Sequence, residues 1–268
     1  MQLPPATFER LQRQVQRLCG LALGADKEYL VRDRLEPLLR RHSWKSFEEL
    51  AERLEQSRDA ALADSVVEAI VTHETSFFRD PHVWEAVQRR VLPEILARRG
   101  QVRIWSAATS TGQEAYSLAM LCSEFDARGP DRCSILATDI CASALRAGAA
   151  GEYDVRELDR GVSAARRQRF FHPAGRKWHV NESLRRMVEF RRVNLAAPLP
   201  ALGTFDLICC RNLLIYFSLE TRQQLCERLR AALGDGGWLL LGAAENLYGV
   251  SDRFSSFAID DALIYRPA

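Results

Sequence analysis

The seven cysteines include no Cys-x-x-Cys pair and no Cys/His cluster with metal-ligand spacing. Their odd number, and their place inside apolar runs such as Asp206-Leu-Ile-Cys-Cys210, set aside a disulfide framework. They read instead as reduced, buried thiols of a cytosolic protein. No basic-then-apolar leader opens the chain, and no apolar run approaches the roughly 20 residues that span a bilayer. A cytoplasmic location is therefore expected. An excess of either charge sign is lacking too: 37 Lys and Arg face 35 Asp and Glu, a net charge of +2, so the molecule as a whole has no strong electrostatic preference. No internal repeat and no low-complexity tract is present, which sets aside repeat architectures. Apolar residues make up 47% of the chain, enough for a real core and too many for disorder.

What is present falls into two parts. Residues 1 to about 80 read as helical throughout. Phe8, Leu11, Val15 and Leu18 fall at helical spacing, as do Val31, Leu35, Leu38 and Leu39. Phe47, Leu50 and Leu54 follow, with Ser46 as N-cap ahead of Glu48 and Glu49, and Val66, Ala69 and Ile70 mark a fourth helix. From about residue 100 the texture changes. Strand-like runs at 102–106, 134–138, 187–190, 205–209, 238–241 and 262–265 alternate with helical stretches at 114–125, 143–150 and 219–233. Gly234-Asp-Gly-Gly237 reads as a turn before the fifth strand. Such alternation implies βαβ units around a mostly parallel sheet, an α/β fold.

One stretch breaks the pattern. Between Arg160 and Arg192 lie ten Lys or Arg residues against two acids, with Phe170, Phe171 and Trp178 interleaved. It reads as an insertion between the second and third strands, either a solvated excursion or a docking surface for an acidic partner.

In an open parallel sheet, ligands bind beyond the carboxyl ends of the strands. The first strand runs into Ser106-Ala-Ala-Thr-Ser-Thr-Gly-Gln-Glu-Ala-Tyr-Ser117, where small residues and Gly112 permit a tight turn. The loop is not Gly-x-Gly-x-x-Gly, which counts against a pyrophosphate ligand. Glu114 there suits either a helix N-terminus or a cationic ligand group. Asp139, ending the second strand, can accept hydrogen bonds from ribose hydroxyls or cap the next helix. Arg211-Asn-Leu-Leu-Ile-Tyr216 ends the fourth strand, and a buried strand running into Arg-Asn is costly unless those groups meet a ligand or partner. Upstream, Thr72-His-Glu-Thr-Ser-Phe-Phe-Arg-Asp80 lies at the junction of the two parts, where clefts are common. It also reads as a helix start, with Thr75 as cap and Phe77 and Phe78 as core.

Taken together, Thr75-Ser-Phe-Phe-Arg79, the 106–117 block, Ala137-Thr-Asp139, Val193-Asn-Leu195 and Cys210-Arg-Asn-Leu-Leu-Ile-Tyr-Phe217 resemble the chemoreceptor glutamate methyltransferases of the CheR type, over almost the whole chain. The resemblance implies a doubly wound, Rossmann-like methyltransferase sheet at 81–268, an N-terminal all-α domain at 1–80, and a small inserted β-subdomain at about 160–192. It implies S-adenosylmethionine as cofactor and S-adenosylhomocysteine as product. Cofactor contacts carry over to His73 (often Asn in the family), Thr75, Arg79, Glu114, Asp139, Asn194, Leu195, Arg211 and Asn212. Arg79 and Tyr216 match the residues that arrange the receiving glutamate. No metal is expected.

The implied partner is the glutamate-rich helical hairpin of a chemoreceptor, met by a monomer. Its docking surfaces would be Arg32, Arg34, Arg40 and Arg41 on one helix, and the basic insert with Arg176 and Lys177. Phe171–Trp178 is short for the peptide-gripping loop of some relatives, so no such tether is expected. A nucleic-acid methyltransferase would suit the basic, aromatic insert, but 211–214 lack the Asn/Asp-Pro-Pro-aromatic pattern of amine-directed enzymes. A non-catalytic cofactor-binding module is the other alternative.

Overall fold

The computed structural model describes residues 1–56, 59–98, 100–126 and 129–268. Among the described residues, four α-helices build the N-terminal part: α1 (Pro5–Cys19), α2 (Glu28–Arg41), α3 (Phe47–Gln56) and α4 (Ala60–Ile70). Each buries the face its spacing marks, with Leu11, Val31, Leu35, Leu39, Phe47 and Leu50 fully enclosed. Ser46 caps α3, its Oγ accepting from Glu49 N–H at 3.4 Å. Asp59 caps α4 through the amides of Ala61 and Leu62.

A linker leads to α5 (Pro81–Ala86), a π-helical turn (Val87–Val91) and α6 (Leu92–Arg98). The α/β part follows as β1 (Val102–Ser106), α7 (Gln113–Phe125), α8 (Gly129–Arg132), β2 (Cys133–Asp139) and α9 (Ala142–Ala150). Next come β3 (Glu152–Tyr153), α10 (Val155–Asp159), α11 (Ala164–Phe170), β4 (Phe171–Ala174), β5 (Lys177–Val180) and α12 (Glu182–Arg185). The chain closes with β6 (Val188–Arg192), β7 (Phe205–Cys210), α13 (Leu219–Ala232), β8 (Leu233–Leu241), β9 (Phe254–Ile259) and β10 (Ala262–Pro267).

Seven of these strands form one sheet in the order β6-β2-β1-β7-β8-β10-β9. The first five are parallel, and β10 and β9 join antiparallel. The chain winds outward from β1 to β6 and then crosses back to β7 on the other side of β1. That switch opens a crevice at the carboxyl ends of β1 and β7. Both faces of the sheet are covered, so the central strands read as continuous apolar runs. Ile104, Leu207, Cys209 and Leu240 face the core under α5, α6 and α7. Trp105, Ile208, Cys210, Leu239 and Leu241 face the core that α13 closes with Leu225, Cys226 and Leu229. A third cluster joins the N-terminal helices to Cys141 and Ala144 at the start of α9, which docks the helical part on the sheet.

Two expected boundaries sit differently. The small sheet, ordered β3-β5-β4, runs from Glu152 to Val180, whereas Val188–Arg192 is the edge strand of the large sheet. Charge misplaces the insert because the basic run continues into β6, whose Arg191 and Arg192 lie on that exposed edge. The Gly234–Gly237 turn lies inside β8, as an excursion where the register with β7 shifts between Phe205 and Leu207. The β4–β5 hairpin closes over two residues, since Ala174 pairs with Lys177.

All seven cysteines are free and buried. Burial pushes the thiols of Cys19 and Cys226 up to about 11 and that of Cys141 up to about 12. Thiolate is therefore scarce at neutral pH, which removes these three as nucleophiles.

Candidate functional site

One pocket of about 400 Å³ at the switch point is lined by His73, Thr75, Arg79, Glu114, Asp139, Asn194, Leu195, Arg211, Asn212 and Tyr216. These ten come from separate stretches of sequence: the linker before α5 brings His73, Thr75 and Arg79, and the ends of β1, β2, β6 and β7 bring the rest to one crevice. The opposite wall comes from the N-terminal part, through Leu21, Leu23, Lys27, Leu30 and Arg34. A β-bridge and a side-chain bond fix that wall. Ala22 N–H donates to the Tyr216 carbonyl at 2.8 Å, Leu21 bridges to Phe217, and Asn194 Nδ2 donates to the Leu18 carbonyl at 2.8 Å.

The loop after β1 is held from beneath. Trp105 Nε1 donates to Thr138 Oγ1 at 2.9 Å, which in turn donates to the Ala107 carbonyl at 3.0 Å. Gly112 sits at φ +93°, and a Cβ there would lie 3.0 Å from Tyr153 Oη and 3.1 Å from Gly148 Cα. The turn thus requires glycine twice over, for its dihedral and for its space.

Asp139 borders the pocket but does not cap α9, whose N-cap is Cys141 with no side-chain cap bond. Its Oδ1 accepts from Cys141 N–H at 3.0 Å and its Oδ2 from Ser110 N–H at 2.8 Å. Each oxygen keeps lone-pair capacity for a further donor. Thr75 caps no helix: α5 starts only at Pro81, and Phe77 and Phe78 are core residues. His73, Asp139 and Cys141 bring ligand atoms within 4.8 Å of one another.

Glu114 does not cap α7, whose N-cap is Gly112. It is buried, its Oε1 accepting from Ser106 Oγ at 2.7 Å and its Oε2 from Arg211 Nη1 at 3.3 Å. Arg211 Nη2 also reaches Asp80 Oδ2 and the Arg79 carbonyl, both at 2.7 Å. The partner that a buried Arg at this strand end demands is thus supplied largely by the protein itself. Its Nε is buried and without a hydrogen-bond partner among the described residues.

Arg79 differs from Arg211. Its Nη1 donates to the main-chain carbonyl of Glu74 at 3.0 Å, and its side chain forms no carboxylate pair among the described residues. Its own carbonyl is pinned by Trp84 Nε1 at 2.7 Å as well as by Arg211. The residues on either side, Phe78 and Asp80, have φ of +50° and +61°. Ser110 and Asn212, also at the pocket, have φ of +51° and +56°. Such conformations cost about 1–3 kcal/mol each and persist where surrounding structure over-determines them.

Four contributors were not singled out from the sequence: Asp80, Trp84, Ser110 and Glu245. Asp80 precedes Pro81, a helix-start signal that could have marked it. Glu245 stands in Gly242-Ala-Ala-Glu-Asn246 with no periodic or motif signal at all.

The surfaces expected to dock a partner are partly spent on internal pairs. Arg34 holds the Ile70 carbonyl at 2.5 Å and Thr72 Oγ1 at 2.9 Å, Arg40 pairs with Glu36, and Arg32 with Asp33. In the basic stretch, Arg160 meets Glu74, Arg166 meets Glu124, Arg167 meets Asp159, Lys177 meets Glu152 and Arg192 meets Asp64. All five acids come from outside residues 160–192, which a count along the segment cannot see. Arg41 and Arg176 remain exposed.

A doubly wound sheet, a glycine-poor loop after β1 and an acid closing β2 define the class of methyltransferases that bind a nucleoside cofactor at the switch point. The chain belongs to the CheR methyltransferase family: the family's all-alpha domain matches residues 6–71 and its SAM binding domain residues 73–263. It is 41% identical over 268 residues to chemotaxis protein methyltransferase 1 of Pseudomonas aeruginosa, covering 97% of each chain. It is 40% identical over 263 residues to a chemotaxis protein methyltransferase of Vibrio parahaemolyticus, covering 97% of this chain and 96% of that one. The protein is thus an S-adenosylmethionine-dependent methyltransferase of the chemotaxis type. Neither the nucleic-acid reading nor the non-catalytic one is favoured by these relatives. The pocket fits the cofactor: Asp139 offers acceptors for ribose hydroxyls, and Leu21, Leu23, Ile140 and Leu195 offer an apolar flank for a base. No helix among the described residues is long and apolar enough to cross a membrane.

Proposed function

We propose that the protein transfers methyl groups to glutamate side chains of methyl-accepting chemoreceptors, as a cytoplasmic monomer acting on the receptor's helical hairpin. The products are glutamate methyl esters and S-adenosylhomocysteine. The observation that carries this reading is the contrast between the two arginines of the pocket. Arg211 is neutralised by Asp80 and Glu114, whereas the Arg79 guanidinium donates to the Glu74 carbonyl and forms no carboxylate pair among the described residues, leaving it donors for an incoming carboxylate. A single chain supplies both walls of the pocket, which supports a monomer.

The cofactor supplies an electrophilic methyl group on a sulfonium. A glutamate carboxylate is ionised at neutral pH, with a reference pKa of about 4.3, so no general base is needed. The protein's task is alignment. Arg79 can hold the carboxylate bidentately and present one oxygen. The hydroxyl of Tyr216, a half-exposed residue that lines the pocket, can add a weaker constraint. Asp139, Asn194 and Asn212 would hold the nucleoside, and Glu114, set between Ser106 and Arg211, would face its amino-acid end. Arg41 and Arg176 are the exposed cations left to meet an acidic helix.

Transfer of labelled methyl to receptor cytoplasmic fragments, with mapping of the modified residue, tests the reading. Label should appear on glutamate, and Arg79→Ala should lower the rate by at least about 100-fold through lost alignment. Label on another residue type would sink the glutamate assignment. A wild-type rate in the mutant would sink the role of Arg79.

A further inference from the structure

Glu245 lies in the loop after β8, outside the stretches that line the pocket, and it is 7% exposed. No salt bridge reaches its carboxylate among the described residues. A buried charge without a counter-ion is costly unless hydrogen bonds replace the lost water. Here four main-chain amides do so. Oε2 accepts from Asn212 N–H at 2.6 Å and from Gly242 N–H at 2.8 Å. Oε1 accepts from Leu213 N–H at 2.9 Å and from Ile215 N–H at 3.4 Å.

Three of those amides belong to the loop that carries Asn212 and Tyr216 into the pocket. The loop has an unusual course: Asn212 is left-handed at φ +56°, and Leu214–Tyr216 form a short 3-10 turn. Neither helix nor sheet satisfies its first amides, so without an acceptor they would be orphaned. The carboxylate meets them together and ties them, through Gly242, to the end of β8. The chain thus wraps around one side chain, and that wrapping sets where Asn212 and Tyr216 point.

We infer that Glu245 is a positioning residue for the 211–216 loop, acting on cofactor binding through Asn212 and on the acceptor through Tyr216. The Tyr216 half rests on the proposed glutamate chemistry, while the Asn212 half needs only the cofactor. Both carboxylate oxygens are required. In Glu245→Gln one of the two becomes an NH2 group that faces N–H donors. In Glu245→Asp the charge stays but the reach is one methylene short.

The test titrates S-adenosylhomocysteine into each variant at a temperature where circular dichroism shows a native fold. Glu245→Gln should weaken binding about tenfold, the scale of losing charge-assisted bonds in a buried site. Its loss should combine less than additively with that of Asn212→Ala, since the two act through one loop. Should Glu245→Gln fail to fold, Glu245→Asp carries the same expectation. A folded variant with affinity within twofold of wild type overturns the inference, as do fully additive losses. Methyl transfer at saturating cofactor gives the Tyr216 arm: loss in Glu245→Gln and in Tyr216→Phe should again be less than additive. A wild-type protein that esterifies no glutamate would defeat the proposed function instead, and the cofactor titration would still decide the role of Glu245.

Discussion

Arg211 illustrates how much a single side chain can hold. With 2% of its side chain exposed, it lies between Asp80 and Glu114 and spans the Arg79 carbonyl. Replacing an ion network with apolar groups can be neutral, but removing one member leaves charge buried without a partner. Arg211→Met should therefore destabilise the fold by about 3–5 kcal/mol, read as a lower urea midpoint with an unchanged slope. A loss below about 1 kcal/mol would mean that Asp80 and Glu114 find other partners. The sequence marked Arg211 as a group needing company, because it ends a buried strand. It did not reveal that the company is Asp80 and Glu114, about 130 and 100 residues upstream.

The inserted subdomain is more than an appendage on the sheet. Phe77 is fully buried, edge-on to Tyr153 at 4.9 Å and to Phe171 at 5.7 Å. The Arg166 guanidinium lies 3.9 Å over the Phe78 ring. Tyr153 Oη donates to the Thr111 carbonyl at 2.7 Å, and Gln113 Nε2 to Glu157 at 3.1 Å. The insert therefore braces both the segment that presents Arg79 and the loop after β1. Gly161 is the tightest point, where a Cβ would come within 1.9 Å of the Phe77 carbonyl oxygen. Gly161→Ala should cost about 1–3 kcal/mol through overpacking. It should also slow methyl transfer by about tenfold or more, because the displaced backbone leads directly to Arg79. Unchanged turnover in a folded variant would show that the brace does not reach Arg79. Phe77 and Phe78 were readable as core from their type alone. Their partners were hidden, since the insert was recognised by charge and its structural content begins earlier, at Glu152.

At the scale of the molecule, the helical part is fastened to the sheet by apolar contact and by a few polar ties. Arg192 on β6 grips Asp64 on α4, and Glu68 accepts from Ser143 N–H at 3.0 Å. The hydrogen-bonded Arg192 guanidinium holds the Asp64 carboxyl below the usual carboxylate range. A carboxyl depressed on folding contributes stability that is present above its unfolded pKa, about 3.9, and is lost as pH falls through the folded value. Both side chains are more than 40% exposed, so solvent screens the pair and its contribution is small. Asp64→Asn should lower the melting temperature slightly at pH 7, and the gap to wild type should narrow as the pH falls below the unfolded carboxyl's value of about 3.9 and through the lower folded one. A gap that stays constant with pH would assign the loss to something other than this pair. The overall plan was readable because its signals are local: helical spacing before residue 80, and strand–helix alternation after 100. The meeting of the two parts was not, because it depends on residues such as Leu21 and Leu23, which carry no pattern of their own, and on Arg192, whose partner Asp64 lies 128 residues upstream.

The wall formed by Leu21, Leu23, Leu30 and Arg34 has a consequence for what counts as a unit. The segment matching the SAM binding domain starts at residue 73, yet part of the enclosure around the ligand lies upstream of it. An excised catalytic half would present a trough where the intact chain presents a chamber. Inheritance, transplantation and truncation must then treat the two halves as one module, since a border drawn from sequence runs through the chamber itself.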